Sequence, residues 1–327
     1  MIWPSIWPFD ASIESLWLAL YLASFALHAV FVSYVAAGAG YALVAALRRS
    51  ADPIAARARD WLPFMLGAGI TAGVGPLLFL QLLYQRRFYT ANLLMGPRWG
   101  AVVPALIVGF YALYLAKASE RHRRLALAAG TACFAFVAWS WTEIHQVMLA
   151  DAGWRAMYAA GERFDLDPAI APRLATWLGA MLAMFAAIAA WPSPAAERRR
   201  LARLALIGLG VATAAAVIPA AVHGAIDAAH GWTYLLVAAV LAAAVGWIAT
   251  LRSPDGAGVR LATIATTCAL LAGAVVREAP RIALIERGRT TAVASGGLVM
   301  FAVTVAIGIA AIAWIVRTAR AAAARPH

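Results

Sequence analysis

The sequence predicts an all-α fold, a single polytopic membrane bundle of about nine transmembrane helices, and three observations predict it. Of the 327 residues, 64% are hydrophobic and 13% charged, with a mean hydropathy of +0.79; a soluble domain carries about a quarter charged residues. The apolar residues fall in runs of roughly 20, the length at which a helix crosses a bilayer. The segments between the runs are short and arginine-rich, with no space for a soluble domain, so residues 1–327 read as one integral membrane domain.

Ahead of the first run, two Trp-Pro pairs between Trp3 and Pro8 read as an interfacial belt. The start has no basic region and no cleavage-site pattern, so it is not read as a removable signal peptide. The first expected span, 15–47, carries His28. The second, 61–84, contains Gly67-Ala-Gly-Ile-Thr-Ala-Gly-Val-Gly-Pro76, whose small residues permit close helix approach or leave room for a flat cofactor. Gln81 and Tyr84 follow, then an expected loop over 85–92, an aromatic and polar combination suited to a headgroup belt or the lip of a quinone site. The third span, 100–117, ends on Lys117, the one lysine in the chain, so a retinal Schiff base within the membrane is not expected. The fourth, 125–150, carries Glu143 and His145. The remaining spans are 173–191, 201–228, 232–251, 260–279 and 292–317.

Loop charges set the expected orientation. With the N-terminus outside, most of the 27 basic residues fall inside, among them Arg48, Arg49, Arg57 and Arg59, Arg121 to Arg124, Arg198 to Arg203, and Arg317 and Arg320. Basic residues concentrate on the cytoplasmic side of membrane proteins, so the chain is expected N-out and C-in, in a bacterial inner membrane. That orientation gathers the unusual polar residues in the outer half. Ionisable groups at membrane depth are costly unless paired or bound, which makes each a candidate for function.

His223, Asp227 and His230 recur at i, i+4 and i+7, on one helix face. His145 and His223 lie on different helices at similar expected depth, a pattern that suits the two axial ligands of a b-type haem. His28 is a further candidate; structural histidines bonded inside the bundle are the alternative. Glu143 stands two residues from His145, so the two point to nearly opposite sides of their helix. Glu143 is read as a proton-exchanging carboxylate or as the partner of an outer arginine. Asp227 is read as the support of His223 or as the acceptor of a quinol proton. His230 reads more simply as a helix-end or interfacial residue. Arg277 and Arg281 are expected to hold haem propionates or a carboxylate, or else to form surface ion pairs. A mixed histidine and carboxylate metal site is a further reading, although no HExxH or ExxH motif is present.

Several classes are excluded. The net charge of +12 is distributed over short loops rather than a basic domain face, which argues against nucleic acid. Cys133 and Cys268 lie far apart in apolar runs, so neither a disulfide framework nor a CxxCH attachment site for c-type haem exists. No phosphate-binding loop and no clear internal repeat is present.

Nine spans, N-out and C-in, with His28 in the first and histidines towards the outer face, resemble subunit I of the cytochrome bd quinol oxidases. The stretch Gly73-Val-Gly-Pro-Leu-Leu-Phe-Leu-Gln-Leu-Leu-Tyr-Gln85 with Phe88-Tyr-Thr-Ala-Asn92 also resembles bacterial membrane subunits associated with c-type cytochromes. The likeness is architectural, without the GRQPW signature or a long loop between spans six and seven. It implies b-type haem, quinol oxidation near the outer face, and electron delivery to a periplasmic cytochrome c or companion subunit of a respiratory complex. A proton-coupled transporter or a structural anchor subunit is the alternative from the same polar residues.

Overall fold

The computed structural model describes residues 13–161, 167–223, 231–254 and 256–285, with scattered helical positions between 303 and 317, and these described residues contain helices and no strand. Ten helices follow in order: α1 Ile13–Leu47, α2 Pro53–Leu83, α3 Gln85–Leu94, α4 Gly96–Ala118, α5 Arg123–Leu149, α6 Trp154–Ala160, α7 Ile170–Ala190, α8 Ala195–His223, α9 Gly231–Arg252 and α10 Gly256–Glu278. Eight of them, all but α3 and α6, are long and apolar enough to cross a membrane. The chain is a polytopic helical bundle. The ninth expected span, 292–317, falls largely outside the described residues.

Local chemistry sets the helix limits. The turn after α1 places Arg49 in the left-handed region, at φ 55°. Asp52 then caps α2, accepting from the Ile54 and Ala55 backbone N–H groups at 2.9 and 3.4 Å, while Pro53 supplies the fixed φ that suits a first helical position. As a result α2 starts at Pro53 rather than at 61. Its polar first turns are helical because Ile54, Ala55 and Ala58 bury one face.

The expected loop 85–92 is corrected to a helix. Tyr84, with φ −129° and ψ 37°, breaks the ladder at the end of α2, and the chain resumes as α3. Phe88, Ala91 and Asn92 are buried along one side of it, at i, i+3 and i+4. The segment is polar on average and has no side-chain cap, which is why apolar runs alone do not reveal it.

Consecutive spans pair as antiparallel neighbours: α1 with α2, α4 with α5, α7 with α8 and α9 with α10. α1 also packs on α5, α7 and α10, which makes it the central helix. In lipid these pairings depend on close packing rather than on expulsion of water. At the α7–α8 crossing a Cβ on Gly179 would lie 2.6 Å from the Gly208 carbonyl oxygen, and one on Gly208 would lie 2.6 Å from that of Gly179. Only two glycines allow this approach. Val103, Ile107 and Tyr111 of α4 and Leu241 of α9 point outward, as apolar side chains do where lipid is the solvent.

Beside a smaller third cluster of Ala42, Ala45, Ala55, Ala116, Ala126 and Leu127, two large clusters make up most of the core. One gathers Tyr34, Leu62, Phe185, Leu201 and Trp247. The other gathers Tyr21, Leu83, Tyr84, Phe88, Ile144 and Met148 around the junction of α2 and α3, at the expected outer end.

Candidate functional site

The second cluster contains a buried polar group assembled from four helices. Tyr84, at the end of α2, donates its hydroxyl to Glu278 Oε1 at 2.7 Å. Glu278 closes α10, and its other oxygen accepts from Arg281 Nη1 at 3.3 Å. Arg277 donates to the Tyr21 hydroxyl of α1 at 3.3 Å and lies over the rings of Phe25 and Trp177, 4.6 and 5.5 Å from their centroids. Tyr21, Tyr84 and Glu278 are each 2% exposed and Arg281 8%. Taking a carboxylate and a guanidinium out of water is costly, and mutual pairing with added hydrogen bonds offsets that cost.

His145 of α5 faces the same group. Its Nδ1 lies 2.8 Å from the Trp141 carbonyl oxygen one helical turn back. Because that oxygen can only accept, Nδ1 carries the proton and Nε2 is left as the acceptor. Trp141 stands beside it, ring centroids 5.5 Å apart. His145, Tyr84, Glu278 and Arg281 line one cavity, walled by Leu80, Met148 and Leu284. Its volume is about 10 Å³, room for about one water.

Two groups at the rim lie beyond the spans. Burial first, then the charge of Glu278 and the bond to it, push the Tyr84 phenol above its ordinary pKa. Burial and the neighbouring Arg277 pull the Arg281 guanidinium below its own. Glu278 is paired with Arg281, and Arg277 is a second cation at the same site.

The other expected residues lie elsewhere. Glu143 is fully buried, but it forms an ion pair with Arg98 of α4 and accepts from Trp139 Nε1 at 2.7 Å. Arg98 also reaches Ser140 Oγ at 3.1 Å. Glu143 and His145 therefore serve opposite sides of α5. Gln81 accepts from the Tyr89 hydroxyl at 3.3 Å in an exposed position. His28 donates through Nδ1 to the Gly69 carbonyl of α2 at 2.8 Å, and its ring occupies the space left by Gly73, where a Cβ would come within 2.9 Å. The small-residue stretch of α2 is thus filled by α1 side chains. The His223 side chain, Asp227 and His230 lie outside the described residues.

Tyr21 and Glu278 were not singled out as site residues by the sequence reading. Glu278 had a usable signal, a carboxylate next to Arg277 and three before Arg281 at the end of a span. Tyr21 had none, being one tyrosine in a long apolar run.

The expected bis-histidine b-type haem takes two axial side chains from facing helices. His145 has the chemistry of one. α7 packs against both α5 and α8, and Arg277 and Arg281, expected at the propionates, are engaged by Tyr21 and Glu278. The expected partner of His145, the His223 side chain, lies outside the described residues, so these residues do not by themselves make up the expected axial pair. Among the described residues no group of three or more His, Cys, Asp or Glu is placed to hold a metal ion. Comparison with protein-family models and with curated protein sequences gives no match.

Proposed function

We propose that this chain is a membrane-integral electron-transfer subunit that binds a quinol head group in the outer half of the bilayer, at the site between His145 and Glu278. The observation that supports it best is the convergence of an acceptor nitrogen of His145, the buried Glu278 carboxylate and the Tyr84 hydroxyl at one place; the ring would lie against its mouth, since the cavity has room for about one water. A quinol that becomes a quinone loses both hydroxyl protons and two electrons. His145 Nε2 accepts the first proton as the general base, and Arg277 and Arg281 stabilise the anion left behind. Once His145 has passed that proton outward it accepts the second, and the two electrons pass one at a time to two equivalents of a one-electron acceptor, a haem of a companion subunit or a periplasmic cytochrome c. With the N-terminus outside, as the loop charges favour, the protons leave on the outer side of a bacterial inner membrane.

A second reading is favoured by the size of the cavity. Room for about one water suits a proton path better than a ring, and a proton-coupled transporter would use the same His145 and Glu278. The two are separated by one pair of measurements on the purified full chain. Titration with a short-chain quinol should show saturable binding that weakens at least about tenfold in His145→Gln and stays unchanged in Gln81→Ala. Absence of quinol binding, together with His145-dependent proton flux in liposomes, would replace the quinol reading by the transporter reading.

A further inference from the structure

At the opposite end of the bundle a second and larger cavity opens between the end of α1, the start of α2 and the start of α5. It measures about 340 Å³, within the range of small-molecule sites. Its inner wall is made of Ala42, Ala45, Ala46 and Ala55, and Arg59 and Arg123 stand at its polar side with Ser50. The small side chains create the hollow, because no residue of the wall is long enough to fill it.

Arg59 and Arg123 both line the cavity, and their Nε atoms, shielded from water, find no hydrogen-bond partner among the described residues. Buried donors are nearly always satisfied, so two guanidinium groups left short of partners beside one cavity favour an anion that reaches their outer nitrogens. The nearby carboxylates do not supply it. Asp52 also lines the cavity, but it is engaged by Arg200, by Tyr41 at 2.8 Å and by two backbone N–H groups of α2. Glu120 meets Arg123 through Nη2 at 3.1 Å, and its side chain is 89% exposed. Exposed Arg48 and Arg49 add positive charge at the adjoining turn.

We infer that this cavity binds a phosphate-bearing anion, with Arg59 and Arg123 on the phosphate and the alanine wall against its carbon skeleton. Guanidinium groups match phosphate oxygens with paired, charge-assisted hydrogen bonds. The apolar wall, the volume and the position at a membrane-facing end together select an anionic phospholipid head group over a bare ion. Basic pockets between helices on the cytoplasmic side of membranes take such head groups. This site is independent of the quinol reading, since it lies at the other end of the bundle and shares no residue with it.

The test uses the full chain in phosphatidylcholine nanodiscs, titrated with phosphatidylglycerol and, separately, with glycerol phosphate and inorganic phosphate, and read by native mass spectrometry. Phosphatidylglycerol should bind saturably, and the double variant Arg59→Gln/Arg123→Gln should weaken it at least about tenfold, with Arg121→Gln unchanged. Arg59→Lys/Arg123→Lys should retain part of the affinity, since a lysine keeps the charge without the fork. Should the double variant fail to fold, Ala46→Phe fills the cavity and keeps both arginines, and it should abolish binding alike. Equal binding of glycerol phosphate would overturn the lipid assignment in favour of a soluble phosphate. Undiminished phosphatidylglycerol binding in Ala46→Phe would overturn the site itself.

Discussion

Tyr84 and Glu278 lie 194 residues apart in sequence and share a 2.7 Å hydrogen bond in which both partners are buried. The bond ties the end of α2 to the end of α10, where Glu278 also accepts from Arg281. Replacing Tyr84 by Phe removes the donor and keeps the ring. Glu278 then loses one of its two partners, and a buried acceptor left short of a partner costs about 1–3 kcal/mol. Thermal unfolding in detergent should register that loss. A variant as stable as the parent would mean that the Tyr84 hydroxyl is not a partner that Glu278 depends on.

The ion pair of Glu143 with Arg98 leads to a different expectation. Glu143 is fully buried and Arg98 9% exposed, so removing one charge leaves the other stranded. Glu143→Leu alone should cost roughly 3–5 kcal/mol, and Glu143→Leu with Arg98→Met should recover most of it, because an apolar pair of similar volume replaces a desolvated ion pair at little cost. A double-mutant cycle on chemical unfolding measures both. If the double variant is no better than the single one, Glu143 has a role beyond pairing with Arg98.

How much of this was legible depended on the distance over which each feature is encoded. The spans are local: an apolar run of membrane length needs no partner to be recognised, and the divergence of Glu143 from His145 follows from their spacing alone. α3 escaped because its buried positions, Phe88, Ala91 and Asn92, are embedded in a polar stretch whose helicity depends on what α2, α4 and α5 place against it. The polar start of α2 escaped because the helix outlasts its apolar run, held by Asp52 at one end and by Ile54 and Ala58 underneath. The site is the least legible part. Tyr21, Tyr84, His145 and Glu278 meet only through packing of four helices, and nothing near Tyr21 marks it off from the other aromatic residues of α1.

His28 and Gly73 give a test of the α1–α2 seam. A Cβ at position 73 would lie 2.9 Å from the imidazole, which is held by the Gly69 carbonyl. Gly73→Ala should therefore destabilise by about 1–3 kcal/mol, the usual cost of overpacking. In the background of His28→Ala the same substitution should be nearly neutral, since the space is then open. Equal costs in both backgrounds would show that the ring does not fill the seam.

Asp52 carries the clearest dependence on pH. Burial opposes its charge, but the bonds it accepts from Tyr41, Arg200 and the backbone of Ile54 and Ala55 outweigh that and hold its carboxyl below the ordinary value of 3.8. A group whose folded-state pKa is depressed contributes stability that is fully present above its unfolded pKa and is lost as pH falls through the folded one. The junction of α1, α2 and α8 should accordingly be constant in stability from neutral pH down to about pH 5 and weaken below about pH 4. Asp52→Asn retains a cap for α2 but not the charge opposite Arg200. It should be less stable than the parent at pH 7, and the gap between the two should narrow as the pH approaches 3. Unfolding in detergent across that interval decides it: parallel curves for parent and variant would mean that the charge of Asp52 does not hold the junction together.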